Sequence, residues 1–439
     1  MAQKLFKILA FSILTLISVT MQSCRCNNTE EKKDKFITID NGRIARNGKA
    51  YYYIGTNFWA APILGSTGEG GDRERLQKEL DKLKELGVEN LRILAGADAG
   101  SKNANSVYPY LQPSPRELND TLLVGLDYTL SELEKRGMTA VIYLTNSWDW
   151  SGGFGFYLRE CGYGDSPNAS GSGYSDYVSY SADFVRDAKA KALYYNHVQA
   201  IVSRRNSITG RLYKDEPSIM AWQICNEPRP FSKENKELFA EWIATTAKII
   251  KGIDSNHLVS TGSEGLYGCE VDAALCERIH SDKNIDYLTI HIWPINWGWT
   301  PRSAPDCGIE NACKSAGEYI DLHVEMCKRM GKPVVIEEFG FSRRDNMCTL
   351  DKDVDSRDIF YKYIFGRVEE SASTEGVIAG CNFWGWGGSG RPDSLVWSAG
   401  DDLLCDPPHE PQGWYSVFDT DSSTIRTISE SVKKLNNYN

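Results

Sequence analysis

Two short runs carry residues that could do chemistry. One is Trp222-Gln223-Ile224-Cys225-Asn226-Glu227-Pro228-Arg229, an apolar stretch that delivers a glutamate into a loop. The other is Val334-Val335-Ile336-Glu337-Glu338-Phe339-Gly340, which ends on two. A carboxylate where an apolar strand ends sits at the rim of a fold, where it can meet a substrate. Two carboxyl groups facing one another at about 5–5.5 Å are what retaining cleavage of a glycosidic bond needs, one as nucleophile and one as acid/base. The acid must keep its proton at working pH, so its pKa should be raised, with help from the ionised partner. Other chemistries lack their residues. The histidines show no His-x-x-x-His pairing, so no catalytic metal or other cofactor is indicated. Asp351-Lys352-Asp353-Val354-Asp355 opens like a calcium loop, but Ser356 and Lys362 stand where Gly and Glu are required. Gly-x-Ser-x-Gly and P-loop patterns are missing, which argues against an esterase or a nucleotidase.

The elements that must position these glutamates repeat one rhythm. Strand-like runs are expected at 51–55, 90–94, 139–144, 218–225, 258–261, 286–293, 333–338 and 377–384. Helical patterns are expected between them at 72–86, 120–136, 181–205, 233–252, 314–330, 356–370 and 422–436. In the first, Leu76, Leu80, Leu83 and Leu86 recur at helical spacing and Gly87 stops the pattern. The fifth unit is the weakest, with no obvious helix between 265 and 282. Runs such as Pro333-Val334-Val335-Ile336 are apolar on both faces, as buried parallel strands are. Eight alternating units predict an α/β fold, a single (β/α)8 TIM barrel with long βα loops, spanning 36–439. A doubly wound dinucleotide fold would need a Gly-x-Gly-x-x-Gly that leads from a strand into a helix, and none opens a helical pattern. In a barrel, the fourth and seventh strands lie opposite, so Glu227 and a glutamate of the 337–338 pair face one another across the mouth.

The 439 residues are 41 % hydrophobic and 25 % charged, enough to bury a core. The formal net charge of −10 argues against nucleic acid as a partner and fits a neutral substrate. Twelve tryptophans and 22 tyrosines are many, and sugar rings stack on aromatic faces. Lys4 and Lys7 precede an apolar run, Ile8 to Val19, too short to span a bilayer but of signal-peptide length. The following Met21-Gln22-Ser23-Cys24 resembles the bacterial lipoprotein signal. That resemblance implies cleavage of residues 1–23, a diacylglycerol on Cys24 as membrane anchor, a polar tether over 24–35, and a periplasmic or cell-surface location. Export makes disulfides permissible. Cys269 with Cys276, and Cys307 with Cys313, could each close a local loop, whereas Cys225 and Cys381 lie in apolar strands and read as buried free thiols.

From about Tyr51 to Trp384 the sequence resembles glycoside hydrolase family 5, in the clan of retaining (β/α)8 glycosidases. Asn226-Glu227-Pro228 matches the acid/base motif, and Glu338-Phe339-Gly340 matches the nucleophile motif, which selects Glu338 over Glu337. Strand alternation then turns Glu337 the opposite way, into a structural ion pair or hydrogen bond. The resemblance further implies that Arg92 sits beside the nucleophile and that Asn226 bonds the sugar 2-hydroxyl. It also implies that His291 holds the acid/base, with Trp293 near by, and that Trp384 forms the floor under the cleaved sugar. Many members carry a histidine at the end of strand three, where this chain has Asn146. That replacement, with Gly55-Thr56-Asn57-Phe58-Trp59 and Arg229 after Asn-Glu-Pro, resembles the β-mannanase branch. Trp59, Trp148 and Trp150 are then candidates to stack on mannose units, and Arg229 and Asn146 to favour mannose over glucose. The implied activity is a retaining endo-β-1,4-mannanase on mannan, glucomannan or galactomannan. Alternatives on the same machinery are an endoglucanase, an exo-β-mannosidase or a transglycosylase. An alternative of another class is a non-catalytic glycan-binding surface lipoprotein.

Overall fold

The computed structural model describes residues 35–103 and 105–439. The signal-like segment, Cys24 and nearly all of the tether therefore lie outside the described residues. Eight parallel strands form the centre: β1 (Tyr53–Asn57), β2 (Asn90–Leu94), β3 (Thr139–Tyr143), β4 (Ile219–Gln223), β5 (Leu258–Ser260), β6 (Leu288–Ile292), β7 (Val334–Phe339) and β8 (Ile378–Phe383). Seven hydrogen-bonded ladders join them in the order β5-β4-β3-β2-β1-β8-β7-β6. The remaining seam, between β5 and β6, is closed by single contacts. The Asp286 amide donates to the Val259 carbonyl at 2.8 Å, and the Val259 amide donates to the Asp286 carboxylate at 2.7 Å. Every strand residue is buried, which explains the continuous apolar runs. The fold is a (β/α)8 barrel.

The helices around it are α1 (Arg73–Leu86), α2 (Asp120–Lys135), α3 (Ala188–Val202), α4 (Lys236–Ile253), α5 (Ala273–His280), α6 (Ile309–Met330), α7 (Asp355–Ser373) and α8 (Ser422–Leu435). In α1 the Asp72 side chain caps the first turn and Gly87, at φ +79°, ends the last, as the leucine pattern and Gly87 anticipate. The fifth unit does contain a helix. Its eight residues are too few for a clear period, but Asp72's counterpart, Asp272, accepts from the Leu275 amide and starts it. The helix expected over 181–205 is α3 alone, preceded by a separate helix, Tyr174–Ser181. Among the described residues no helix is long and apolar enough to cross a membrane.

An antiparallel ribbon of Thr38–Asp40, Arg43–Arg46 and Lys49–Ala50 precedes the barrel. Both turns are Asn-Gly pairs with positive φ, Asn41-Gly42 and Asn47-Gly48, the preferred two-residue hairpin. Ile37 and Ile44 pack there with Tyr53, Met220, Tyr287 and Val335, plugging the barrel end opposite the mouth. The ten described cysteines are free. Cys225 and Cys381 are buried thiols as expected, but the two local disulfides do not form. Cys269 and Cys276 come within side-chain hydrogen-bonding reach of one another as free thiols, and Cys276 also reaches His280 Nδ1 at 3.7 Å. Cys307 lies on the turn before α6 and Cys313 within that helix.

Candidate active site

At the barrel mouth a buried arginine organises the polar groups. Arg92, on β2, donates from Nη1 to Glu338 Oε1 and to Asn57 Oδ1 at 3.1 Å. Its Nη2 donates to Asn226 Oδ1 at 2.7 Å, and its Nε to Gln223 Oε1 at 2.8 Å. The guanidinium also lies 4.5 Å from the centre of the Tyr143 ring. The ends of three strands, β1, β4 and β7, are thereby locked to one planar cation, whose fork fixes the direction of each of its four partners.

Glu227 follows β4 with φ at +48°, a backbone state that costs a non-glycine residue about 1–3 kcal/mol. The surrounding bonds hold it there. Its amide donates to Gly262 O at 2.9 Å and its carbonyl accepts from Ser147 Oγ. The carboxylate accepts from His291 Nδ1 at 2.8 Å and from Trp148 Nε1 at 2.5 Å. His291 Nδ1 is also 3.2 Å from Glu338 Oε2. Ligating atoms of Glu227, His291 and Glu338 all lie within 4.8 Å of one another. That closeness fits the short carboxyl separation of retaining rather than inverting chemistry. It does not suit a divalent cation, because Arg92 already donates to one carboxylate and a protonated His291 lies between the two.

The protonation pattern reverses one expectation. Burial alone would push His291 down, but the charge of Glu338 and the bonds to both carboxylates outweigh it and lift it to about 9. Burial would push Glu227 up, but the bond and charge of His291, helped by Arg229 and Trp148, hold it below the ordinary carboxylate value. In the resting site the proton therefore resides on His291, not on a Glu227 of raised pKa.

Glu337 does not turn away from Glu338. The β6–β7 pairing slips between Ile336 and Glu338, and this bulge breaks the alternation. Glu337 accepts from Gln223 Nε2 and stands 3.6 Å from Arg92 Nε. The expected structural ion pair is present, on the same arginine that holds Glu338, and the hydrogen bond comes from Gln223.

A cleft of about 340 Å³ opens above these groups, lined by Glu227, Glu338, Asn226, Trp384, Trp293 and Trp148, among others. Trp384 leans edge-on to Trp293 at 5.9 Å. Trp148 packs nearly parallel to Tyr174 and Tyr177, and Trp150 also lines the cleft. Two candidates stand elsewhere. Trp59 is buried beneath, its Nε1 donating to Cys405 O at 2.8 Å, and it packs on Trp150 at 5.7 Å. Asn146 is fully buried and orients Asn226, whose Nδ2 donates to Asn146 Oδ1 at 3.1 Å. Arg229 lines the cleft, but its Nε and Nη2 donate to both oxygens of Glu264 at 2.5 Å. Burial and nearby Glu227 raise Glu264 against the pull of Arg229, to about 7.

Sequence reasoning missed Glu264, Asn296, Trp297, His409 and Glu410, which also line the cleft. Glu264 follows the weakest strand, and His409 and Glu410 belong to the irregular 385–419 loop, so no periodic pattern marks them. Burial pushes Glu410 up to about 8, reinforced by Asp406, Glu227 and Glu338.

Comparison with known proteins agrees with this arrangement. The glycoside hydrolase family 5 β-mannosidase-like model matches residues 34–439. Mannan endo-1,4-beta-mannosidase 4 of Solanum lycopersicum is 29 % identical over 361 residues, covering 80 % of this chain and 83 % of its own. The crystal structure of a glycoside hydrolase family 5 mannosidase from Rhizomucor miehei is 33 % identical, with a TM-score of 0.84, covering 92 % of this chain and 99 % of its own. The same enzyme has been solved with mannosyl-fructose. A barrel whose fourth and seventh strands bring Glu227 and Glu338 together, matched by the family pattern from end to end, belongs to glycoside hydrolase family 5, in its β-mannosidase-like group.

Proposed function

We propose that the protein is a retaining endo-β-1,4-mannanase that cleaves mannan, glucomannan or galactomannan by double displacement. The observation that carries the reading is the Glu227–His291–Glu338 cluster, with one ligating atom of each within 4.8 Å of the others, at the floor of a tryptophan-lined cleft. Glu338 attacks the anomeric carbon, the glycosidic C–O bond breaks, and the leaving oxygen takes a proton from Glu227. A water, deprotonated by Glu227, then releases the sugar from Glu338. The resting proton on His291 fits this sequence. The negative charge of Glu338 is the largest of the effects that hold that proton in place, and it vanishes as Glu338 forms its bond to the sugar. His291 then yields the proton to Glu227 across 2.8 Å, so acid is supplied as the nucleophile is consumed. The names of the tomato and Rhizomucor relatives support a mannosyl substrate.

Exo-acting mannosidase action is a second reading, favoured by one feature. Pro407, His409 and Glu410 of the long 385–419 loop line the cleft, and a loop there is what would close the end that an endo-acting enzyme leaves open. The Rhizomucor relative is itself named a mannosidase.

Product analysis on linear β-1,4-mannan and on cello-oligosaccharides of equal length tests the assignment. We expect kcat/KM to favour the manno-series by about a hundredfold, on the order of 3 kcal/mol of differential transition-state binding. Mixed oligosaccharides early in the reaction mark endo action, whereas mannose alone marks exo action. Equal rates on the two series would remove the mannan assignment and leave a retaining glycosidase.

We also propose that the chain is exported and held to a membrane through Cys24. This rests on the Lys4–Cys24 pattern alone.

A further inference from the structure

The mouth face carries a second hollow, of about 230 Å³. Its walls come from the β1–α1 loop and the start of α1, from Tyr108 and Pro109 after β2, and from residues 397–403 after β8. It shares a wall with the cleft. Asn105 Nδ2 donates to Trp397 O at 3.0 Å and to Pro408 O at 2.7 Å. Trp397 lines the hollow, while Pro407 and His409 on the same loop line the cleft.

The polar groups of the hollow are built but incompletely used. Trp397 is only 6 % exposed, yet its indole N–H has no partner among the described residues. A buried indole donor ordinarily finds one, and leaving it unmade costs about 1–3 kcal/mol. Arg75, whose side chain is 10 % exposed, donates from Nη2 to Leu403 O at 2.9 Å, while its Nε faces Glu79 Oε1 at 3.6 Å. Acceptors stand near these donors. Asp72 uses Oδ1 to cap α1, and Asp401 uses Oδ2 to accept from the Ser398 amide, which leaves each a second oxygen. Tyr108 adds an aromatic ring that is 38 % exposed.

Donors, acceptors and an open aromatic side chain around a small hollow match a pyranose, which carries hydroxyls at its edge and C–H groups on its faces. The charge narrows the choice. Glu69, Asp72, Asp401 and Asp402 face a single Arg75, so phosphate and uronate are repelled. The unpartnered group, the Trp397 indole, is an N–H donor, which a metal cannot use.

We propose that this hollow is a second, non-catalytic glycan site that takes one neutral pyranose of the polymer being cut or of a neighbouring chain. That the pyranose is mannosyl rests on the function proposed above. The test uses the full chain carrying Glu338→Ala, which holds oligosaccharides uncut, titrated calorimetrically with mannohexaose. Two binding events are expected. Tyr108→Ala, and separately Trp397→Phe, which keeps the ring but loses the N–H, should weaken one event about tenfold and spare the other. With Glu338 intact, Tyr108→Ala should lower the fraction bound to insoluble mannan severalfold, with kcat/KM on mannotriose unchanged. A single event that neither variant alters overturns the proposal, as does an equal loss on mannotriose. A parallel titration with gluco- and galacto-oligosaccharides separates the two readings. Binding of a neutral sugar, lost with Tyr108→Ala, in a protein that does not cut mannan keeps the site and removes the function. Mannan cleavage with no second event keeps the function and removes the site.

Discussion

Arg92 explains why the polar groups of the mouth stand where they do: a single buried cation ties together Glu338, Asn226, Asn57 and Gln223. Around it the two neighbouring glutamates divide their tasks. Glu338 lines the cleft, whereas Glu337 is fully buried against Gln223 and Arg92. Glu338→Ala should therefore lower kcat by several orders of magnitude with the fold intact, and azide should restore turnover with an α-glycosyl azide as product. Near wild-type activity in that variant would sink the nucleophile assignment. Glu337→Ala should instead reduce stability, since it strips a partner from a buried guanidinium. His291 offers a separate test through pH. With its pKa at about 9, the proton shared with Glu227 is present below that pH and lost above it, so kcat/KM should fall on the alkaline side near 9. In His291→Gln only the buried Glu227 carboxyl can hold the proton, and the alkaline limb should move to lower pH. An unmoved limb would show that His291 does not store the catalytic proton. The two glutamates were legible because each closes an apolar run. The proton's position was not, because it depends on a 2.8 Å contact between residues 64 positions apart.

Elements were legible where period and punctuation agree. The leucines of α1, bracketed by Asp72 and Gly87, give its ends directly, and the apolar runs of β4 and β7 place their glutamates at the mouth. Reading failed where local rules give way to register. The bulge in β7 turns Glu337 and Glu338 toward one arginine, and nothing in Ile336-Glu337-Glu338 announces it. The fifth unit looks weak because its helix, α5, has only eight residues, too few to show a period. The N-terminal ribbon is a different case, because its two Asn-Gly turns carry a plain hairpin signal that a search for alternating units passes over. Its contribution is open to measurement. Gly42 has φ +74°, and a Cβ there would lie 2.9 Å from the Gly331 carbonyl oxygen. Gly42→Ala should cost about 1 kcal/mol or more and lower Tm by a few degrees. It should leave kcat/KM unchanged, because the ribbon plugs the end of the barrel away from the mouth. A fall in kcat/KM without a fall in Tm would contradict that separation of stability from chemistry.

For the whole molecule, charge and attachment bear on where catalysis happens. A formal charge of −10 repels acidic polymers and leaves a neutral mannan free to approach. The cleft and the second hollow open on one face of the barrel, and the antiparallel ribbon lies at the other end. The described chain begins at Lys35, just before that ribbon. The proposed anchor at Cys24 would join the chain from this end and so direct the mouth away from the membrane. The two acyl chains implied by the signal resemblance would supply the affinity, since a single chain binds membranes only marginally whereas two hold them stably. Cys24→Ala should therefore release the enzyme from membrane fractions into the soluble fraction, with kcat/KM on soluble oligosaccharides unchanged, because nothing in the mouth depends on the tether. Fractionation of cells expressing the two forms, read by activity and by immunoblot, checks this. A Cys24→Ala protein that still sediments with membranes would overturn the lipid anchor and leave the barrel chemistry untouched.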